Sequence, residues 1–158
     1  MNPTAQLEAR QSVLTRMFDA PPDLVFAAWT KREYLIKWWG PKDFTVPYCA
    51  IDFRVGGAYR YCMRSPEGEE HWVWGKFQEI EPPERIVFTW DREDLEGNPR
   101  SKSVVTLTFS AEGEKTKLVL RQGVFDFASD CAEHIGGWIS CLNRLAEFIQ
   151  TGPIGSIK

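Results

Sequence analysis

Two histidines, four cysteines and a set of strand-borne arginines are the side chains from which this chain could build chemistry. His134 lies about one turn before Trp138 on the last helical segment. There its imidazole either gives and takes a proton at the mouth of a cavity or makes a local hydrogen bond at a helix start. Its neighbour Glu133 is turned roughly 100° away around the helix, so adjacency in sequence does not make the two a dyad. His71 adjoins the charged turn Glu67 to Glu70 and reads as a surface residue. Asp52 and Arg54 flank Gly56-Gly57 and share a strand face, the arrangement of a salt bridge that sets a hairpin. Arg60, Arg64 and Arg121 suit solvated strand faces, or a cation placed for an anionic ligand. Cys49, Cys62, Cys131 and Cys141 lack the paired close spacing of metal or redox sites and read as reduced. Cys141, on the apolar side of the last helix, reads as a small core residue rather than a reactive thiol. No nucleophile elbow, phosphate loop, metal triad or paired-carboxylate spacing stands out, so no cofactor and no metal are expected, and binding is favoured over catalysis.

The stronger signal is aromatic. Trp38-Trp39 followed by Gly40-Pro41 puts two adjacent indoles at a helix end, where they fit best at the rim of something concave. Side chains alternate along a strand, so Tyr59, Tyr61 and Met63 share one side, and His71, Val73, Gly75 and Phe77 share one side of the next strand. Both sets are expected to face inward. On that register Trp72 and Trp74 lie on the outer face as an apolar patch suited to pairing two copies of the chain. In the opposite register they would line the cavity.

Positioning these residues requires a single compact unit. A chain of 158 residues with 43% hydrophobic and 26% charged residues has the size and composition of one domain with a full core. The domain is expected over residues 12–151, with a flexible N-terminus at 1–11 and a C-terminal tail at 152–158. A net charge of -3 without any basic run argues against nucleic acid as a partner. The absence of a long apolar run argues against a membrane span, and residues 1–12 lack the apolar stretch of a signal peptide, so a cytoplasmic protein is expected.

Residues 12–19 alternate as a strand, and Ala20-Pro21-Pro22-Asp23 then opens a short helix with a stripe of Leu24, Val25, Ala28 and Trp29. Thr30 is expected to cap a second short helix carrying Tyr34, Leu35 and Trp38, which Gly40-Pro41 stops. Six strands follow at 45–55, 58–64, 71–81, 85–91, 104–109 and 116–122, separated by turn signals, with a polar loop at 93–100. The last segment, about 129–150, is a long helix. Its apolar arc of Ile135, Trp138, Ile139, Cys141, Leu142, Leu145, Ala146, Phe148 and Ile149 fills roughly half the circumference, which suits a helix gripped by a curved sheet.

This order of elements carries motifs of a known family. They are Phe18-x-Ala20-Pro21, Val25-Phe26-x-Ala28-Trp29-Thr30, Trp38-Trp39-Gly40-Pro41, and Asp52-x-Arg54-x-Gly56-Gly57-x-Tyr59-Arg60. The long run from Gly75 to Trp90 follows, then Val105-Thr106-Leu107-Thr108-Phe109, and Gly137-Trp138 with Leu142 and Leu145. On these residues the chain resembles the START-like (SRPBCC) superfamily, and within it the group named for the C-terminal domain of the activator of heat-shock protein 90 ATPase. The resemblance implies an α+β helix-grip fold, in which an antiparallel sheet wraps the C-terminal helix around an apolar cavity. It also implies a range of functions, from lipid or hormone binding and polyketide cyclisation to antibiotic sequestration and chaperone activation, so the site must decide. The expectation is a cavity that takes a small hydrophobic ligand, aromatic, acyl or polyketide-like, lined by Tyr34, Trp38, Trp39, Tyr59, Tyr61, Phe77, Phe88, His134 and Trp138. A cyclase or hydrolase using the same cavity through His134 or a tyrosine, and a protein-interaction module acting on a chaperone ATPase, are the alternatives.

Overall fold

The computed structural model of the chain describes residues 10–93, 99–125 and 128–151. The C-terminal tail and most of the N-terminal segment and of the 93–100 loop lie outside the described residues. Arg10 is tied in, since its carbonyl accepts from the Phe125 N–H at 2.9 Å.

Strand β1 (Ser12–Phe18) leads into α1 (Pro22–Ala28) and α2 (Arg32–Trp38). Pro22 sits in the first turn of α1, where a missing N–H costs no hydrogen bond, and Asp23 places an acid near the positive helix end. Thr30 does not cap α2 as its type suggested. Its hydroxyl donates back to the Ala27 carbonyl at 3.1 Å, and Lys31 takes the cap position with no side-chain bond. Seven-residue helices are marginal alone, so both are held by the aromatic faces they bury.

The strands β2 (Thr45–Ile51), β3 (Ala58–Arg64), β4 (Glu70–Glu81), β5 (Arg85–Glu93), β6 (Pro99–Glu112) and β7 (Lys115–Gly123) form a meander, and α3 (Ala128–Thr151) closes the chain. The sheet is antiparallel in the order β1-β7-β6-β5-β4-β3-β2. β6 begins at Pro99, so the polar loop expected up to Arg100 gives way earlier to strand. Register shifts in β2, β4 and β5 curve the sheet. At Gly75 of β4 a Cβ would lie 2.0 Å from the Thr89 carbonyl oxygen, so only glycine lets β5 approach.

Alternation places Tyr59 and Tyr61 of β3, Val73 and Phe77 of β4, and Ile86, Phe88 and Trp90 of β5 on the inner face, all buried. Opposite them α3 presents Cys131, His134, Trp138, Cys141, Leu142, Leu145, Phe148 and Ile149. The buried stripe is narrower than the expected arc. Ile139 is 48% exposed, and Ile135 and Ala146 are half-buried, because the sheet and the two short helices cover only one side of α3. No helix among the described residues is long and apolar enough to cross a membrane.

Candidate functional site

Between the strap that follows α2, the inner ends of β3 to β5 and the first half of α3 lies a cavity of about 210 Å³. Its floor is three buried indoles from three elements: Trp39 from the strap, Trp90 from β5 and Trp138 from α3. The ring centroids of Trp39 lie 5.5 Å from those of Trp138 and 6.1 Å from those of Trp90, and Trp90 lies 5.4 Å from Trp138. Half-exposed Phe44, Met63, His71 and Arg92 form the rim with exposed Glu133.

Each indole is fixed differently. Trp138 donates from Nε1 to Gln122 Oε1 at 2.7 Å, and Gln122 donates from Nε2 to Ser103 Oγ at 3.0 Å. Gln122 is 1% exposed, so this buried chain of polar groups is satisfied at both ends of its amide and locks the ring. Trp90 donates from Nε1 to His134 Nε2 at 3.1 Å. That bond needs a lone pair on Nε2, so the imidazole is neutral here with its proton on Nδ1. The His134 ring also stacks on Phe125, with centroids 4.8 Å apart. The Nε1–H groups of Trp29 and Trp39, by contrast, are buried without a hydrogen-bond partner among the described residues.

Electrostatics leave the cavity largely uncharged within. Arg92 pairs with Glu133 at 3.1 Å across the rim, joining β5 to α3, and His71 Nε2 stands 3.7 Å from a Glu69 carboxylate oxygen. Burial pushes the Cys141 thiol up to about 12, opposed by a backbone hydrogen bond from Gly40 and the charge of Arg144, so no thiolate nucleophile forms at neutral pH. The Tyr59 and Tyr61 hydroxyls are pushed well above the ordinary phenol range by burial. Tyr59 donates to the Thr89 carbonyl at 2.6 Å. No group of three His, Cys, Asp or Glu side chains is placed to hold a metal ion among the described residues. The arrangement can hold a flat apolar body and meet it with polar groups at one edge.

Of the residues expected from the sequence, Trp39, His134 and Trp138 line this cavity. Tyr59, Tyr61, Phe77 and Phe88 instead surround a second void of only about 10 Å³, shared with Trp29, Trp39, Ile86 and Leu107. There the rings fill the space themselves, with Tyr59 centroids 4.9 to 5.6 Å from those of Tyr61, Phe77 and Phe88. Trp38 is fully buried away from both voids, its Nε1 donating to the Ala28 carbonyl at 3.1 Å and its ring edge-on to Trp29. Tyr34 packs on Phe148, 6.0 Å between centroids.

His71 takes the side of β4 that strand alternation gave it and is half-exposed beside its charged turn. It shares the inner register of Val73 and Phe77 and reaches the rim, 5.9 Å from the Phe44 ring. Trp90, Phe44, Met63, Arg92, Glu133 and Gly137 line the cavity without having been expected. For Trp90 a signal existed, because it continues the Ile86, Phe88 alternation. Trp72 and Trp74 lie on the outer face as the register required. Trp72 packs under the Arg60 guanidinium at 4.5 Å and beside Tyr48 at 5.4 Å while also bordering the cavity mouth. Asp52 and Arg54 form the expected salt bridge, at 2.8 Å.

Residues 19–150 match the family model described as Activator of Hsp90 ATPase homolog 1-like protein. No curated protein matches the chain. Among solved structures, the crystal structure of the AHSA1 protein from Silicibacter pomeroyi is 28% identical with a TM-score of 0.81, covering 89% of this chain and 97% of that one. A protein from Rhizobium leguminosarum is 28% identical with a TM-score of 0.77, covering 89% and 93%. A protein from Nitrosomonas europaea shares the fold at 22% identity and a TM-score of 0.75, covering 90% and 95%.

Proposed function

The chain belongs to the Activator of Hsp90 ATPase homolog 1-like family, with the helix-grip fold of the START-like superfamily, and from that premise we propose that it binds a small aromatic ligand in the 210 Å³ cavity. The observation that carries this reading is a cavity of this size above a floor of three indoles packed on one another. Size narrows the ligand class. A cavity of roughly 150 Å³ accommodates benzene, so 210 Å³ suits one or two fused rings better than a polyketide or a long acyl chain. At roughly 0.6 kcal/mol per non-hydrogen atom, a ten-atom ligand gains about 6 kcal/mol, a Kd in the tens of micromolar.

The test is a nitrogen–proton NMR titration with 1-indanone, following the indole N–H signals of the seven tryptophans. Saturable shifts of Trp39, Trp90 and Trp138, with Trp74 on the outer face unmoved, are expected. Shifts spread over all seven, or none, would refute the pocket. The cyclase or hydrolase reading makes His134 the group that moves a proton, and the bond from Trp90 to its Nε2 weighs against it. Activation of a chaperone ATPase rests on the family description alone. Pairing of two copies through the outer face rests on half-exposed Trp72 and Trp74 with exposed Tyr48. Sedimentation at high concentration showing a monomer would remove that pairing.

A further inference from the structure

The strap that walls one side of the cavity, residues 39–44, carries Trp39, Gly40, Pro41 and Phe44 to the site but belongs to no helix or strand. Two of its residues hold positive φ, Gly40 at 92° and Asp43 at 70°, and within itself it makes one backbone bond, Phe44 N–H to the Pro41 carbonyl. Its position is set from α3. One nitrogen of Arg144, Nη1, donates to the carbonyls of Trp39, Gly40 and Pro41 at 3.0, 3.1 and 3.0 Å. One turn earlier, Ser140 Oγ accepts the Lys42 N–H at 2.8 Å. Residues four apart share a helix face, so the two side chains act on the strap from the same side, with Cys141 of the cavity wall between them. Three consecutive carbonyls turned to one side repel one another unless a cation meets them, and charge-assisted bonds are the stronger kind.

We propose that Arg144 and Ser140 are specificity-determining positioning residues, which pin the strap against α3 and so fix the width of the aromatic slot and the ring size it admits. Neither lines the cavity, so they act through Trp39, Pro41 and Phe44. This rests on the reading of the cavity as a ligand site. With the strap pinned, a two-ring body enters and a three-ring body does not. With it released, the wall moves outward and the discrimination falls.

The experiment measures Kd for 1-indanone and for 9-fluorenone, its three-ring counterpart, by the same NMR titration of the full chain. In R144M the ratio of the 9-fluorenone to the 1-indanone Kd is expected to fall at least tenfold from that of the unmodified protein, and in S140A about threefold. R144K, whose single ammonium nitrogen can face all three carbonyls, is expected to keep most of the discrimination. R16M breaks the bond from Arg16 to Asn143, about 100° round α3 from Arg144 and away from the strap, and is expected to leave the ratio unchanged, which separates a change of slot width from loss of an anchor on α3. A ratio within twofold of the unmodified protein in folded R144M overturns the proposal. Should R144M fail to fold, an unchanged ratio in S140A overturns it. Failure of the unmodified protein to bind either probe overturns the cavity reading and this proposal with it, a result distinct from binding without discrimination.

Discussion

Gly137 offers the sharpest test of whether the cavity is used. It lies in the interior of α3, a helix of 24 residues, and so does Gly136 beside it. A Cβ added at either position meets no atom within 4 Å, and neither residue holds a positive φ, so no packing or backbone constraint demands glycine. Each glycine therefore costs about 1 kcal/mol relative to alanine in a helix interior. The two differ in what surrounds them: Gly137 lines the cavity, and Gly136 is exposed. Gly136→Ala and Gly137→Ala should each stabilise the fold by about 1 kcal/mol, raising Tm by about 2–4 °C for a chain of this size.

Gly137→Leu should keep most of that gain. It places four carbons in or beside the 210 Å³ space, where each methylene removed from water adds up to about 0.8 kcal/mol. The binding effect runs the other way. A leucine in a slot sized for one or two rings should raise the Kd for 1-indanone more than tenfold, equivalent to about 1.4 kcal/mol. Gly136→Ala should leave it unchanged. Thermal melts and NMR titrations of the three variants decide the matter. If Gly137→Leu binds 1-indanone within twofold of the unmodified protein, or Gly136→Ala weakens binding equally, the cavity is not where the probe sits. A more stable protein that no longer binds would be the mark of a glycine kept for space.

Two further perturbations examine how the site is held. Gln122→Met should leave the Trp138 N–H buried without an acceptor and cost about 1–3 kcal/mol. In urea unfolding the double variant with Trp138→Phe should be less destabilised than the sum of the singles, and strict additivity would mean the bond does not hold the ring. The thiols make stability pH-dependent at the alkaline end. Burial lifts Cys49 to about 11 and Cys141 to about 12, so the folded state keeps protons that the unfolded chain releases above about 9. Their contribution is whole below about 9 and is lost as pH rises from there toward 11 and 12. The slope is about 1.4 kcal/mol per pH unit for each thiol. Urea midpoints at pH 7.5, 9 and 10 should fall accordingly, and Cys141→Ala should flatten the slope; an unchanged slope would show the thiol is not shielded.

Local rules made the framework readable. Alternation at Tyr59, Tyr61, Val73 and Phe77 assigned the inner face correctly because strand side chains have a period of two and these residues all precede the register shift in β4. Pro22, Gly40 and the turn residues marked the element ends because their backbone preferences are intrinsic. Capping at Thr30 was misread because a hydroxyl has more than one backbone partner in reach, and this one donates back to the Ala27 carbonyl. Ile139 was misplaced because helical periodicity sets directions but not how many of them a neighbour covers.

The site divides along the same line. That aromatic side chains from the strap, the meander and the last helix converge beneath α3 was determined by the sequence itself, through motif order and strand phase. Which of those rings would enclose empty space was decided only by the tertiary structure. Tyr59, Tyr61, Phe77 and Phe88 close on one another around about 10 Å³, while the packed indoles of Trp39, Trp90 and Trp138 floor a cavity of about 210 Å³, and Phe88 and Trp90, two residues apart on one strand face, meet these two fates. The reason is physical. The difference between a packed core and a pocket is a displacement of an ångström or two, set by long-range contacts such as Arg144 on the strap, Gln122 on Trp138 and His134 on Trp90. Such contacts join residues from 16 to 105 positions apart, and no local pattern encodes them.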